Sequence, residues 1–279
     1  MENRIGFMQG RLSPIVNGMI QSFPWNNWRE EISDAGSLGF TKMEWTLDQD
    51  RLYENPLMTS VGQEEIIVLS RQQKLSIPSM TGDCFMQAPF WKVGGAEREA
   101  RQKDFIAIME ACSKIGVSQI VVPLVDNGSV QSEAEALVLR DFLLSLEARL
   151  VSLDMRVIFE SDYAPQELAD FIATYPTSLF GINYDTGNSA AMGFDVEEEF
   201  QCYGDRVTNV HIKDRVLGGT TIELGKGNTD FASVFEQLTR ANYTGNLILQ
   251  TARAKDGDHA EVLTQYRDFT LNYLQAHGA

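Results

Sequence analysis

Arg156–Glu160 (RVIFE), Leu179–Asp185 (LFGINYD) and Val207–His211 (VTNVH) are three short apolar runs, each closed by a side chain able to bind a divalent cation. A fourth run, Asn246–Gln250 (NLILQ), has the same shape and ends in an amide. Glu160 and Asp185 stand 25 residues apart, and Asp185 and His211 stand 26 apart, which leaves room for one helix between consecutive strands. The 39 residues from His211 to Gln250 leave room for a helix and a long loop. Taken alone, each polar residue could simply end its strand. Four in the same relative position point to one shared site, because polar groups collect at the carboxyl ends of parallel strands in barrels. Two carboxylates, an imidazole and an amide oxygen form a hard to borderline donor set. That set suits one divalent ion of manganese, magnesium, cobalt or zinc, whereas Cu(I) and iron–sulfur clusters want thiolates.

Outward from these runs, strand and helix alternate along the whole chain. Ile5–Met8 reads as the first strand, followed by a loop rich in Gly, Pro and Asn. A helix is predicted over Trp25–Leu38, stopped by Gly39, then a strand over Thr41–Trp45 and a helix over Gly62–Gln73. Leu75–Met80 is the third strand, and the loop after it carries Phe85, Phe90 and Trp91. Aromatic rings in such a loop either fold over a ligand or pack on the rim or at a subunit contact. Ala96–Ile115 has apolar residues at helical spacing and ends at Gly116; Gln119–Val125 is unbroken apolar, as a strand covered on both faces requires. Ser132–Leu153 is predicted as one helix, with Ser132 and Glu135 as a capping box and Leu137, Leu144 and Val151 as an apolar stripe. The strand Arg156–Glu160, a helix over Pro165–Tyr175, the strand Phe180–Asp185 and a helix from Asp195 to Tyr203 come next. The strand Val207–Lys213, a helix over Asp230–Ala241, the strand Asn246–Gln250 and a helix over Asp258–His277 complete the series. Eight strands alternating with eight helices in 279 residues predict an α/β fold, a single-domain (β/α)8 TIM barrel over residues 1–279. The alternative, a doubly wound open sheet, lacks any dinucleotide glycine fingerprint after the first strand.

The composition is that of a globular chain, with 43% hydrophobic residues and no apolar run of membrane-spanning length, so no membrane association is expected. A formal charge of −16 without a basic run disfavours nucleic acid as a partner. Cys84, Cys112 and Cys202 are odd in number and unpaired in spacing, which suggests reduced thiols filling core positions. With no signal peptide at the amino terminus, the expected location is cytoplasmic. The expected partner is a small molecule, and a homo-oligomer is compatible with everything above.

FES around Glu160, NYDTGN over Asn183–Asn188, VHIKD over Val210–Asp214 and LGKGNTDF over Leu224–Phe231 together resemble the xylose isomerase-like barrel superfamily, in its sugar phosphate isomerase/epimerase group. The resemblance spans essentially the whole chain. It implies that Glu160, Asp185 and His211 are metal ligands, with Glu160 doubling as an acid/base. In the ketose 3-epimerases of that group a second glutamate ends the eighth strand, and the two glutamates work on opposite faces of the sugar. Here the position is Gln250.

Removing a proton from carbon beside a carbonyl requires stabilisation of the resulting enediolate, which a divalent cation supplies as a Lewis acid while a carboxylate takes the proton. Glu160 is the expected base. Epimerisation needs a second acid on the other face, whereas a 1,2-isomerisation or a dehydration can run with one base. An amide cannot shuttle that proton, although its oxygen can still bind the metal. The sequence therefore predicts something other than a conventional two-glutamate epimerase, unless Glu44 or Asp83 serves as the second acid. Glu44, at the end of the second strand, could equally be a buried carboxylate paired with an arginine such as Arg11. Arg11, Lys213, Arg253 and the Gly225–Lys226–Gly227 loop are expected near one mouth, where barrels often bind phosphate, so a sugar or sugar phosphate is the expected substrate. Asp83, Trp91 and Asn188 complete the substrate-contacting set; Asn188 could equally cap a turn, and Asp214 could orient His211 or Lys213. Three functions compete with an isomerase. A keto-polyol (inosose-type) dehydratase would use the same base. A non-catalytic sugar-binding protein would keep only the fold. Endonuclease action on damaged DNA would need a multi-zinc cluster for which three histidines are too few.

Overall fold

The computed structural model describes residues 2–278. Eight strands close into a parallel barrel in chain order: β1 (Ile5–Met8), β2 (Lys42–Thr46), β3 (Ser76–Thr81), β4 (Gln119–Leu124), β5 (Arg156–Ser161), β6 (Phe180–Asp185), β7 (Val207–Ile212) and β8 (Asn246–Leu249). β8 pairs with β1, with Phe7 beside Leu249, so no edge remains to be covered. The expected TIM barrel is the observed fold. The apolar strand cores are sealed on both sides: Ile120, Val121 and Val122 of β4 and Val157, Ile158 and Phe159 of β5 are all fully buried.

Helices begin where acceptor side chains can satisfy free amides. Thr59, Ser132, Asp195, Asp230 and Asp258 each accept a first-turn N–H and start the helices Ser60–Gln73, Glu133–Ser145, Val196–Tyr203, Phe231–Arg240 and His259–His277. Glu135 returns its carboxylate to the amide of Gln131, one residue before the cap.

Four expectations change. The helix predicted over Ser132–Leu153 is two, Glu133–Ser145 and Glu147–Leu153, broken at Leu146. Its buried face is Leu139, Leu143, Leu146 and Leu150, while Leu137 and Val151 are exposed, so the seven-residue stripe marked the wrong side. The first helix starts at Trp28 rather than Trp25, because Trp25 is held in a turn where it packs edge-on against Phe23 and under Arg51. The loop after β3 contains the short helix Asp83–Gln87, and its aromatic rings are core: Phe85 lies 4.5 Å from Phe105, and Phe90 4.7 Å from Phe142. Finally, two elements were not anticipated. The helix Thr186–Met192 follows β6 directly, and a two-stranded ribbon, Asp214–Arg215 with Thr221–Ile222, follows β7. Both stand at the carboxyl end of the barrel.

Candidate active site

Inward-facing positions on a strand recur every second residue, so β6 and β7 each send two polar side chains into the barrel: Asn183 with Asp185, and Asn209 with His211. At the bottom of the cluster sits Glu44 of β2, fully buried. Its Oε1 lies 2.7 Å from His211 Nε2 and also accepts from the Thr81 hydroxyl. Its Oε2 accepts from Ser79 at 2.6 Å and from Asn209 at 3.0 Å. Both oxygens are therefore occupied below the mouth. The partner of this carboxylate is His211, not Arg11, and the side chain is turned away from where a sugar would enter.

Above this layer, Glu160, Asp185 and His211 bring one donor atom each to within 4.8 Å of one another. His211 Nδ1 is 3.1 Å from Glu160 Oε2 and 3.8 Å from Asp185 Oδ2. The remaining lone pairs are used to aim the carboxylates. Glu160 accepts from Asn183 at 2.9 Å and from Asn188 at 2.7 Å. Asp185 Oδ1 caps the helix Thr186–Met192 by accepting from the amides of Gly187 and Asn188, which leaves Oδ2 toward His211 and Lys213. Lys213 Nζ then joins Asp185 Oδ2 at 3.1 Å to Gln250 Oε1 at 3.0 Å. Glycine at 187 makes room for that lysine, since a Cβ there would fall 2.6 Å from Lys213 Cγ.

Gln250 donates in turn to Gln21 at 2.8 Å, Gln21 donates to Asp83 at 2.6 Å, and Arg11 reaches Gln21 Oε1 at 3.3 Å. Arg215, on the ribbon, donates to Asn188 at 2.8 Å. The mouth is thus ringed by side chains at or just beyond the carboxyl ends of β3, β5, β6, β7 and β8 and from the loop after β1. Two expected contributors lie elsewhere. Trp91 is buried edge-on against Phe90 and donates to the carbonyl of Gly128, the rim packing named above as the alternative to a substrate role. Arg253 donates to the carbonyl of Ser13 and braces the first loop. The Gly225–Lys226–Gly227 loop does not present open amides for a phosphate. The amides of Gly225, Gly227 and Thr229 wrap the carboxylate of Asp214, which is why Asp214 orients that loop rather than His211 or Lys213.

Sequence reasoning missed Gln21, Asn183, Asn209 and Arg215. For Asn183 and Asn209 the signal was present, because each precedes a candidate ligand by two residues on the same strand face. Gln21 and Arg215 lie on loop and ribbon segments with no periodicity to read.

The electrostatics follow from the contacts. Burial alone would lower the His211 pKa, but Glu44, and then Glu160, raise it to about 10. Burial would raise Glu160 and Glu44, yet the hydrogen bond and charge of His211 hold both below the ordinary carboxylate range. Three carboxylates face two cations, His211 and Lys213, leaving one negative charge in a buried cluster. Exchanging the Nδ1 proton for a divalent cation would neutralise it. With Nε2–H committed to Glu44, the nitrogen that can turn to a metal is Nδ1, which lies between the two carboxylates and 3.0 Å from the side-chain amide nitrogen of Asn183; this is the carboxylate–histidine arrangement that orients metal-binding imidazoles. The residues present fit a divalent ion.

The profile of the xylose isomerase-like TIM barrel family matches residues 32–269. The chain belongs to that family. Within it, the chain is 24% identical to a Haemophilus influenzae protein provisionally named L-ribulose-5-phosphate 3-epimerase SgbU, over 90% of this chain and 93% of the other. The solved structure of a D-psicose 3-epimerase with D-tagatose from Clostridium cellulolyticum superimposes with a TM-score of 0.76 at 11% identity, covering 97% of this chain and 99% of the other. The 3-keto-D-glucoside 4-epimerase YcjR of Escherichia coli gives 0.67 at 20% identity, covering 98% and 99%. At such identities the two structures establish the fold. Among the described residues, no helix of this family member is long and apolar enough to cross a membrane.

Proposed function

We propose that the protein is a divalent-metal-dependent sugar or sugar-phosphate isomerase/epimerase in which Glu160 removes a proton from the carbon beside a carbonyl. By the epimerase-named homologue it matches along nine-tenths of its length, the chain is an enzyme of the isomerase/epimerase type. The observation that carries the mechanism is the meeting of Glu160, Asp185 and His211 at the carboxyl ends of β5, β6 and β7. An ion held by those three, with the amide oxygen of Gln250 as a further donor, would supply Lewis-acid polarisation of the substrate carbonyl.

The chain's own residues do the rest. Asn183 and Asn188 fix the Glu160 carboxylate, and His211 keeps it ionised, so it stands as a base. Lys213, shared by Asp185, Asn188 and Gln250, can turn one of its donors to a sugar oxygen as the negative charge of the enediolate develops. Returning the proton from Glu160 to the neighbouring carbon gives a 1,2-isomerisation. Returning a proton to the same carbon from the other face gives an epimer.

Incubating the manganese-loaded protein with L-ribulose 5-phosphate and with D-tagatose in D2O, followed by proton NMR, tests the reading. The wild type is expected to exchange the proton beside the carbonyl of at least one of these sugars. Glu160→Gln should slow that exchange by about 10²-fold or more. A wild type that exchanges neither contradicts the proposal.

A further inference from the structure

Among the described residues, eight carboxylates are buried: Glu31, Glu44, Asp48, Asp83, Glu160, Asp185, Glu199 and Asp214. Seven have a donor on each oxygen. Glu31 takes the amides of Gly10 and Leu12, and Asp48 takes Phe23 on one oxygen and Gln87 on the other. Glu199 is held by Tyr203 on one side and by Tyr184 and Ser189 on the other; Glu44, Glu160, Asp185 and Asp214 are saturated as described. Asp83 is the exception. Its Oδ2 accepts from Gln21, while Oδ1 has no donor among the described residues and keeps contact with solvent.

Which oxygen is free follows from Lys213. An ammonium can only donate, so the atom of Gln250 facing it is the amide oxygen, and the Gln250 NH2 points to Gln21. The Gln21 oxygen is thereby occupied, its NH2 faces Asp83, and Oδ2 must accept. A proton carried by Asp83 therefore sits on Oδ1, the oxygen that keeps access to solvent.

We infer that Asp83, which opens the short helix just beyond β3, is the second acid/base of the active site and delivers a proton to the substrate carbon on the face away from Glu160, with Gln21 as its positioning residue. The inference rests on the isomerase/epimerase reading above. It supplies what Gln250 cannot, and what Glu44 cannot from below His211. The C–H bond breaks toward Glu160; a new C–H bond forms at the same carbon from the Asp83 carboxyl, leaving Asp83 ionised, Glu160 protonated and the configuration inverted. The reverse reaction, or exchange of both protons with water, resets the pair.

The surroundings suit that task. Burial, then the negative charges of Asp48 and Glu160, raise Asp83 to about 7 against the pull of Gln21 and Arg11, so both protonation states are accessible near neutrality.

Deuterium separates the two half-reactions. In D2O, with manganese-loaded protein and L-ribulose 5-phosphate or D-tagatose, the wild type should yield epimer deuterated at the inverted carbon. Asp83→Asn should still wash deuterium into recovered substrate through Glu160, while epimer formation falls about 10²-fold or more. A merely structural role would lower exchange and epimerisation in parallel, and that result, or undiminished epimerisation, overturns the inference alone. A wild type without any exchange overturns the isomerase/epimerase reading and the inference with it. Should Asp83→Asn fail to fold, as judged by circular dichroism, Asp83→Ser carries the same test with the same outcomes.

Discussion

Glu44 shows how much of a site can lie beneath its ligands. Its carboxylate touches no position a sugar could occupy, yet it fixes which nitrogen of His211 carries a proton and which is left toward Glu160 and Asp185. Replacing Glu44 by Gln removes the charge while keeping the shape and an acceptor. Manganese affinity measured by calorimetry should fall about 10–100-fold, the usual cost of losing the carboxylate behind a metal-binding imidazole. Unchanged affinity would show that Glu44 is structural packing only. At this scale the sequence was most informative where strand ends repeat. Glu160, Asp185 and His211 were legible because three apolar runs terminate alike. The role of Glu44 was not, because the partner of a buried carboxylate is chosen across the barrel, by a residue 167 positions away.

At the scale of elements, the loop after β1 matters most, since it carries Gln21 to the mouth. Glu31, on the helix Trp28–Ser37, anchors that loop by accepting from the amides of Gly10 and Leu12. Burial raises Glu31 from its usual 4.5 to about 7, and the two amides, Arg253 and Arg11 offset this only in part. A carboxyl whose folded pKa is raised stabilises the fold fully below its unfolded pKa, and that contribution is lost as pH rises through the folded value. Between about pH 4.5 and 7 the wild type should therefore lose on the order of 3 kcal/mol relative to Glu31→Gln, which cannot ionise. Urea denaturation of both proteins at pH 5 and pH 7 reads the difference in slope; parallel pH dependences would mean that Glu31 titrates normally. The eight strands and the long helices between them were legible, because caps such as Asp195 and Asp258 and unbroken runs such as β4 are local signals; the short helices Asp83–Gln87 and Thr186–Met192 and the ribbon after β7 were not. The break at Leu146 and the side of that helix that faces the core were not. Leu139, Leu143, Leu146 and Leu150 and the exposed set containing Leu137 and Val151 share the same heptad spacing, and only the sheet decides which is covered.

At the scale of the whole molecule, closure of β8 on β1 turns four distant strand ends into one mouth. The alternation of strand and helix carried this much of the fold without reference to any side-chain contact. What closure does to the charged residues was beyond the sequence. It turns Lys213 inward to Asp185 and Gln250, sends Arg253 to the first loop, and wraps the glycine loop around Asp214, so the cations expected to form a phosphate site are dispersed. The account depends on Glu160, Asp185 and His211 sharing one ion. Crystals soaked in manganese and measured at its absorption edge test this most directly. The account predicts one strong anomalous peak bonded to a carboxylate oxygen of Glu160, one of Asp185 and Nδ1 of His211. A mouth without a peak, or a peak held by other residues, would contradict it.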